Sequence, residues 1–254
     1  MSAGPTVYFL SDLHLGAAYT DVRSREAAIV AFLRSIEGHA TELYLLGDVL
    51  DYWYEYRTVV PRGYVRFFGQ LARLSDSGTR IVWFTGNHDI WLFDYLRDEI
   101  GIEVVDAPAA GVVRDIAGRR FLLSHGDTFG PVPRSYRMLR ALFRNRLCQW
   151  LFAGVHPRWT VPLAHAWSSH NRTSRGEPTD DDGWKTAVGA RLVAEGQRVA
   201  VERPDINYIV MGHFHLELNE PVGPHCRLVV LGEWLTTNTY ATFDGTTLQL
   251  HRWE

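Results

Sequence analysis

Five short polar runs in this chain of 254 residues contain the residue types that bind divalent metal ions. They supply carboxylates, imidazoles and one amide oxygen, and each follows a short apolar stretch. The runs are Ser11-Asp12-Leu13-His14, Gly47-Asp48-Val49-Leu50-Asp51, Gly86-Asn87-His88-Asp89, His125-Gly126-Asp127 and Gly212-His213-Phe214-His215. Two metal ions about 4 Å apart, held by such groups, are typical of enzymes that hydrolyse phosphate esters. The sequence therefore predicts a site for two divalent metal ions.

Seven side chains in these runs are the expected metal ligands. They are Asp12, His14, Asp48, Asn87, His125, His213 and His215. We expect Asp48 to be shared, because each of its two oxygens can bind a different ion. Seven ligands with one shared give about four protein contacts per ion and leave room for a water. The ions would lower the pKa of this water towards about 7, which makes a nucleophile available at neutral pH.

His88 is expected to act in catalysis beside the ligands Asp48 and Asn87. Its position in a turn after Asn87 would direct the ring towards the substrate, where it could donate a proton or a hydrogen bond. We expect Asp89 to orient the other ring nitrogen of His88. Three carboxylates are expected to fix histidine rings from outside the ligand set. These are Asp51, Asp89 and Asp127.

Short apolar stretches bounded by glycine predict the strands that position these runs. The predicted strands are Val7–Leu10, Leu43–Leu46, Ile81–Phe84, Phe121–Leu123, Tyr208–Met211 and Cys226–Leu231, followed by Thr239–Phe243 and Leu248–His251. Short and uniformly apolar runs are typical of strands covered on both faces. Helical patterns lie between the first three strands, and this alternation favours a parallel α/β sheet. We therefore predict an α/β fold of two packed sheets with helices outside, forming one domain over residues 1–254.

Residues 129–176 are predicted to form a basic, Trp-containing helical cap beside the site. From Thr128 to Gly176 there is no Asp or Glu, but there are eight arginines and three tryptophans. One apolar face at helical spacing is predicted from Tyr136, Leu139, Phe143, Leu147 and Trp150, with breaks at Pro157 and Pro162. The expected substrate-binding residues are His88, Tyr136, Arg137 and Arg140, because guanidinium groups pair well with phosphates.

The cap favours a lipid-like substrate or a membrane surface as its partner. A helix with an apolar face and an arginine face can lie among lipid headgroups or line a groove for acyl chains. A helix that merely covers the sheet, with solvated arginines, is an alternative. With a net charge of −3 and a pI of about 6.4, we expect no nucleic-acid partner, although the arginines of the cap leave that alternative open.

Composition predicts a cytosolic protein, and the sequence does not determine its oligomeric state. Cys148 and Cys226 do not form a disulfide framework, which indicates a reducing compartment. We expect neither a signal peptide nor a membrane span, because no stretch approaches the roughly 20 apolar residues that a span needs.

The five runs, in this order, resemble the calcineurin-like metallophosphoesterase family along the whole chain in outline. The resemblance implies a four-layer αββα sandwich with two metal ions at the ends of the sheets. It also implies two ligand sets: Asp12, His14, Asp48 and His215 for one ion, and Asp48, Asn87, His125 and His213 for the other.

A narrower resemblance is to the family of UDP-2,3-diacylglucosamine hydrolases of lipid A biosynthesis. It is carried by the cap and by residues 11–16, 47–53, 124–128 and 143–152. It implies Mn²⁺-dependent cleavage of UDP-2,3-diacylglucosamine to lipid X and UMP at the cytoplasmic face of the inner membrane. Two alternatives stay open: a soluble nucleotide or dinucleoside-polyphosphate phosphodiesterase, and a binding scaffold of the same fold.

Overall fold

Two mixed β-sheets form the centre of the structure, a computed structural model that describes residues 6–17, 21–174 and 182–254. The strands are β1 (Thr6–Leu10), β2 (Ala40–Leu45), β3 (Arg80–Phe84), β4 (Glu103–Val105), β5 (Val112–Ile116), β6 (Arg119–Leu123), β7 (Tyr208–Met211), β8 (Glu217–Pro221), β9 (Arg227–Leu231), β10 (Thr239–Phe243) and β11 (Leu248–Arg252). All the predicted strands are present. The sequence did not predict β4, β5 and β8, which lie at sheet edges, where strands carry fewer apolar residues.

The strand order brings parallel strands together in the middle of each sheet. The first sheet has the order β11-β10-β1-β2-β3-β4, and the second has the order β5-β6-β7-β9-β8. Strands β1 to β4 are parallel, as are β6, β7 and β9. Because parallel strands end at the same edge of a sheet, the loops that follow β1, β2, β3, β6 and β7 can meet there.

Within the described ranges, four helices cover the outer faces of the two sheets and three more form the predicted cap segment. They are α1 (Val22–Ser35), α2 (Val65–Asp76), α3 (Tyr95–Ile100), α4 (Arg134–Arg144), α5 (Arg146–Ala153), α6 (Pro157–Ser174) and α7 (Asp182–Glu202). Helices α1 to α3 share a core with the first sheet, and α7 shares one with the second. A third core lies between the sheets, where the rings of Phe9 and Phe121 stack at 5.6 Å. The predicted α/β fold, a four-layer αββα sandwich, is confirmed.

The predicted cap segment contains three helices, α4 to α6, and its breaks differ from those predicted. Pro157 begins α6, but Pro162 lies inside that helix, so the predicted break at Pro162 is wrong. The chain instead turns at Asn145, whose backbone is extended and whose side chain caps α5. Leu147 and Trp150 are therefore exposed and do not continue the face of Tyr136. Residues 175 and 176 of the predicted cap lie outside the described residues.

Within the described ranges, no helix combines the length and the apolar character needed to cross a membrane.

Candidate metal centre

The structure brings the seven predicted ligands together at one edge of the two sheets. Each lies in a loop directly after the carboxyl end of a parallel strand. Asp12 and His14 follow β1, Asp48 follows β2, Asn87 follows β3, His125 follows β6, and His213 and His215 follow β7. Three groups of three side chains have ligand atoms within 4.8 Å of one another. Two consist of predicted ligands, Asp12 with His14 and His215, and Asp48 with His125 and His213; the third joins His14 to Asp51 and His88. The role of the seven residues as ligands stays a prediction.

Five of these seven residues have a left-handed backbone, which the sequence did not predict. They are Asp12, His14, Asp48, His213 and His215, with φ between 42° and 71°. For a residue with a side chain this conformation costs about 1 kcal/mol or more, and such strain is concentrated at functional sites. Backbone hydrogen bonds from Asp12 to Gly47 and from His14 to Asp48 hold the first two loops together. The strain therefore serves to direct the side chains of consecutive loops into one space.

Two glycines allow the loops to approach the carboxylates closely. A Cβ at Gly86 would lie 2.1 Å from Asp48 Oδ1, and a Cβ at Gly212 would lie 2.1 Å from Asp12 Oδ2. Nearby amides donate to the same two oxygens: Asn87 N to Asp48 Oδ1, and His213 N to Asp12 Oδ2. The glycines of the third and fifth runs are thus required by close packing around the carboxylates.

The first group of donors surrounds Asp12 Oδ1. This oxygen lies 3.4 Å from His215 Nε2 and 3.7 Å from His14 Nε2, and the two ring nitrogens are 3.2 Å apart. Asp12 is completely buried, yet its Oδ1 accepts no hydrogen bond from the described residues. Since a buried carboxylate oxygen needs a positive partner, the group fits one cation.

The second group of donors surrounds His125 Nε2. This nitrogen lies 3.3 Å from Asp48 Oδ2, 3.1 Å from Asn87 Oδ1 and 3.2 Å from His213 Nδ1. On the other side of the ring, His125 Nδ1 lies 2.9 Å from the carbonyl of Leu46. A carbonyl only accepts, so Nδ1 carries the proton and the Nε2 lone pair of the neutral ring faces the group.

Asp48 contributes one oxygen to both groups. Its Oδ1 accepts the backbone N–H of Asn87 and of His88, both at 2.9 Å. Its Oδ2 faces His125 at 3.3 Å and His14 at 3.8 Å. The expectation that each oxygen serves a different ion is therefore wrong, because the lone pairs of Oδ1 are already used by the backbone. Only Oδ2 is placed to be shared.

The electrostatics of the centre also fit bound cations. Burial raises the pKa of Asp12, but the adjacent rings of His14 and His215 outweigh burial and hold this pKa well below its usual range. Burial lowers the pKa of His125, but the charge of Asp48 outweighs it and raises this pKa to about 10. Burial and the charge of His125 lower the pKa of His213 to about 4. A proton on His125 thus provides positive charge that metal ions would otherwise supply.

His88 lies at the edge of the centre and is held by Asp51. Its Nδ1 is 3.0 Å from the Asp51 carbonyl, so Nδ1 donates, and its Nε2 points towards Asp48 Oδ2 at 3.9 Å. Asp51 Oδ1 also lies 3.5 Å from His14 Nδ1. Asp51 is therefore positioned to fix the orientation of the His14 and His88 rings without being a ligand itself.

Asp89 has a different contact from the predicted one. The oxygen bonded by the His88 ring belongs to Asp51, so the prediction that Asp89 orients His88 is wrong. The Asp89 carboxylate is fully buried. It instead accepts hydrogen bonds from five N–H groups of the second run, the third run and strand β3. These donors are the amides of Asp48, Val49, Leu50 and Gly86 and the indole of Trp83. Asp89 thus cross-links the two loops that carry Asp48 and Asn87.

Asp127 contacts the predicted substrate-binding residues and not a histidine ring. Its Oδ2 accepts the hydroxyl of Tyr136 at 2.9 Å and pairs with Arg140 Nε at 3.2 Å. Arg140 also donates to the carbonyl of Ala107. Tyr136 and Arg140 therefore anchor α4 to the loop after His125, whereas Arg137 is exposed. The expectation that Asp127 fixes a histidine ligand by a hydrogen bond is wrong.

Two aromatic residues that contact the cap helices were missed by sequence reasoning. Tyr54 lies on the loop after Asp48 and donates its hydroxyl to the Gln149 carbonyl at 2.6 Å. Trp91 lies on the loop after Asn87, and its indole donates to the Phe143 carbonyl at 2.9 Å. The dense aromatic run at residues 52–56 was the available signal, since aromatic residues beside a site often mark a contact surface.

The fold and the donor set define a metallophosphoesterase. Residues 5–217 match the model of the calcineurin-like phosphoesterase family, and the chain belongs to this family. It is 39% identical to a protein of Porphyromonas gingivalis named UDP-2,3-diacylglucosamine hydrolase, over 98% of this chain and 97% of that protein. A protein of the same name from Neisseria meningitidis is 30% identical, over 92% and 91% of the two chains. The predicted family and the predicted enzyme class, a hydrolase, are confirmed.

Among solved structures, the chain is similar to a dimetal phosphatase from Danio rerio. The TM-score is 0.43 at 12% identity, with 100% of both chains covered. A similarity this low has no bearing on function.

Proposed function

We propose that this protein hydrolyses UDP-2,3-diacylglucosamine to 2,3-diacylglucosamine 1-phosphate (lipid X) and UMP. The observation that carries the proposal is the 39% identity, along almost the whole of both chains, to a relative named for this substrate. The donor set of the candidate centre supports it, because that set suits attack on a phosphate. In the reaction a water oxygen bonds to one phosphorus, and the bond from that phosphorus to the bridging oxygen breaks.

The seven candidate ligands would hold two divalent ions, for which we propose Mn²⁺. Fe²⁺ and Zn²⁺ also suit this mixture of carboxylate, amide and imidazole donors. When bound, such ions lower the pKa of a water and neutralise charge that develops on the phosphate. Asp48 Oδ2 would be the shared donor, held in place because Asp48 Oδ1 accepts the backbone N–H groups of Asn87 and His88 in the third run.

His88 would assist through its Nε2. Because its Nδ1 donates to the Asp51 carbonyl, Nε2 carries a proton only when the ring is positively charged. In that state His88 can donate to a phosphate oxygen or to the leaving group, and it also adds a positive charge near the diphosphate. The hydrogen bond to Asp51 keeps the ring directed at the centre while this proton moves.

The cap helices would contact the acyl chains and the membrane surface. Eight large apolar residues of α4 to α6 and their connection are between 40% and 73% exposed, and we call them the apolar patch. They are Met138, Leu142, Leu147, Trp150, Leu151, Val155, Trp159 and Leu163. Arg137, Arg146 and Arg158 are exposed on the same helices, and residues 128–176 contain no acid.

An exposed apolar patch of this size indicates a partner, and exposed arginines favour anionic lipid headgroups. We therefore propose that the protein is cytoplasmic and peripheral on the inner face of the bacterial inner membrane.

Comparing substrates tests this function. The Mn²⁺-loaded protein should cleave UDP-2,3-diacylglucosamine with a higher kcat/KM than bis(p-nitrophenyl) phosphate or UDP-sugars without acyl chains. An Asp12→Asn variant, which lacks one of the proposed ligands, serves as the inactive control. Equal or faster cleavage of the soluble compounds would refute the lipid substrate and favour a soluble nucleotide phosphodiesterase.

A further inference from the structure

The junction of α4 and α5 determines how the apolar patch is oriented. We call residues 143–149 the elbow. Within it Asn145 has an extended backbone, with φ −73° and ψ 123°, and its side chain accepts the amides of Leu147 and Cys148. The elbow sets the direction of α5 and therefore the position of the patch residues on that helix. A small rotation at Asn145 would therefore move the exposed Trp150 relative to the metal centre.

Two aromatic side chains outside the cap hold the elbow on both sides of Asn145, and Arg144 of the elbow also pairs with Asp106 at 2.8 Å. Trp91 donates its indole N–H to the Phe143 carbonyl, one of the last carbonyls of α4, which lack a partner within the helix. Tyr54 donates its hydroxyl to the Gln149 carbonyl in α5. Both rings also pack on Phe152, with centroid distances of 4.8 Å for Trp91 and 5.1 Å for Tyr54.

These two side chains belong to the loops that carry the candidate ligands. Tyr54 follows Asp48, and Trp91 follows Asn87, on the loops after β2 and β3. The two loops are joined beside the elbow, since Tyr54 and Trp91 form a parallel bridge and the amide of Glu55 donates to the Trp91 carbonyl at 3.2 Å. The position of the elbow is thus tied to the loops that position the metal ligands.

We propose that Tyr54 and Trp91 are positioning residues that determine the preference for an acylated over a small phosphodiester. They hold the elbow so that the apolar patch receives the acyl-bearing end of a substrate whose phosphates lie at the metal centre. Neither residue belongs to the proposed ligand set or substrate contacts. The role in substrate preference rests on the proposed function, whereas the inference that Tyr54 and Trp91 hold the elbow does not.

Removing the two donor hydrogens tests the proposal. The substitutions Tyr54→Phe and Trp91→Phe are made singly and together. Each keeps an aromatic ring on Phe152 but removes one hydrogen bond to the elbow. Tyr240→Phe and Trp253→Phe are matched controls, because both rings pack on Phe32 of α1. In the Mn²⁺-loaded double variant, kcat/KM for UDP-2,3-diacylglucosamine should fall about tenfold, while that for bis(p-nitrophenyl) phosphate stays within about twofold. A parallel change for both substrates, or no change for either, would overturn the specificity role.

Limited trypsin digestion tests the elbow independently of any substrate. Arg137 and Arg146 are exposed cleavage sites on either side of Asn145. Cleavage there should be about fivefold faster in the double variant than in the wild type and the two controls, because loosened helices open more often. Unchanged cleavage would overturn the proposal. If the wild type does not cleave the acylated substrate, the proposed function fails, and the trypsin rates still decide whether Tyr54 and Trp91 hold the elbow.

Discussion

At the scale of single residues, the two oxygens of Asp48 have separate tasks. Oδ1 is bound by two backbone amides, and Oδ2 faces both groups of donors. The Asp89 carboxylate accepts a hydrogen bond from the backbone N–H of Asp48 at 3.2 Å. One buried side chain thus joins the second and third runs and presents a single charged oxygen to the proposed metal ions.

Replacing Asp48 with Asn should weaken metal binding without unfolding the chain. The amide oxygen can still accept the two backbone N–H groups, but an NH₂ group then occupies the place of Oδ2 and repels cations. Activity on either substrate should fall by about a thousandfold, and metal analysis should find fewer than two ions per chain. Asp76→Asn, at an exposed position on α2, is the control. Two bound ions in the Asp48 variant would contradict its shared role.

His88→Ala should lower kcat about a hundredfold while the metal content stays unchanged. Because Nδ1 is committed to the Asp51 carbonyl, the loss reflects the Nε2 group that faces the centre. Steady-state kinetics and metal analysis of the variant measure the two outcomes. Equal turnover of variant and wild type, with metal retained, would reject the role.

At the scale of elements, the loops after the strands supply the candidate ligands, and the cap helices supply the exposed apolar patch. The loops after β1, β2 and β7 are held in left-handed conformations by hydrogen bonds to neighbouring loops. Helix α5 is short, and its residues Leu147, Trp150 and Leu151 are exposed because the chain turns at Asn145. Phe152 of the same helix packs on Tyr54 and Trp91. The turn that separates α4 from α5 therefore exposes the α5 residues of the apolar patch.

Vesicle sedimentation should detect this surface. The protein should bind phosphatidylglycerol vesicles at low salt and lose binding as salt screens the arginines. Trp150→Gln should weaken binding about tenfold, because it removes a large apolar side chain from the patch. Trp184→Gln replaces a partly exposed tryptophan of α7 and should leave binding unchanged. If the wild type stays in the supernatant at low salt, the proposed membrane contact is wrong.

At the scale of the whole molecule, the metal centre joins the two sheets. Asp12, Asp48 and Asn87 come from loops of the first sheet, and His125 and His213 come from loops of the second. Cations bound between them would connect both halves of the sandwich, so metal binding would contribute to stability as well as to chemistry.

Removing the metal should therefore make stability depend on pH. In the metal-free protein the pKa of His125 is raised to about 10, above the value of about 6.5 expected when unfolded. The stabilisation is fully present below about pH 6.5 and is lost as the pH rises towards about 10. The Tm after chelation should fall by about 5 °C across this range. Saturating Mn²⁺ or His125→Asn should flatten the curve, and an equally steep fall in either would contradict the assignment.

The main strands and the positions of the candidate ligands after them could be predicted from the sequence because each is a local pattern. Every ligand comes directly after an apolar stretch, so residue type and position along the strand are enough to place it at the carboxyl edge. The edge strands β4, β5 and β8 could not be predicted in this way, since an edge strand is only partly covered and carries fewer apolar residues.

By itself the sequence determined the positions of the main strands, the candidate ligands and the family of this protein. The tertiary structure decided which partner each side chain has. The His88 ring contacts Asp51 and not Asp89, and Asp127 contacts the first cap helix. It also decided the turn at Asn145, which Tyr54 holds through a contact between residues 95 positions apart. The physical reason is that these contacts join segments distant in sequence, and hydrogen bonds of this kind leave no periodic pattern along the chain.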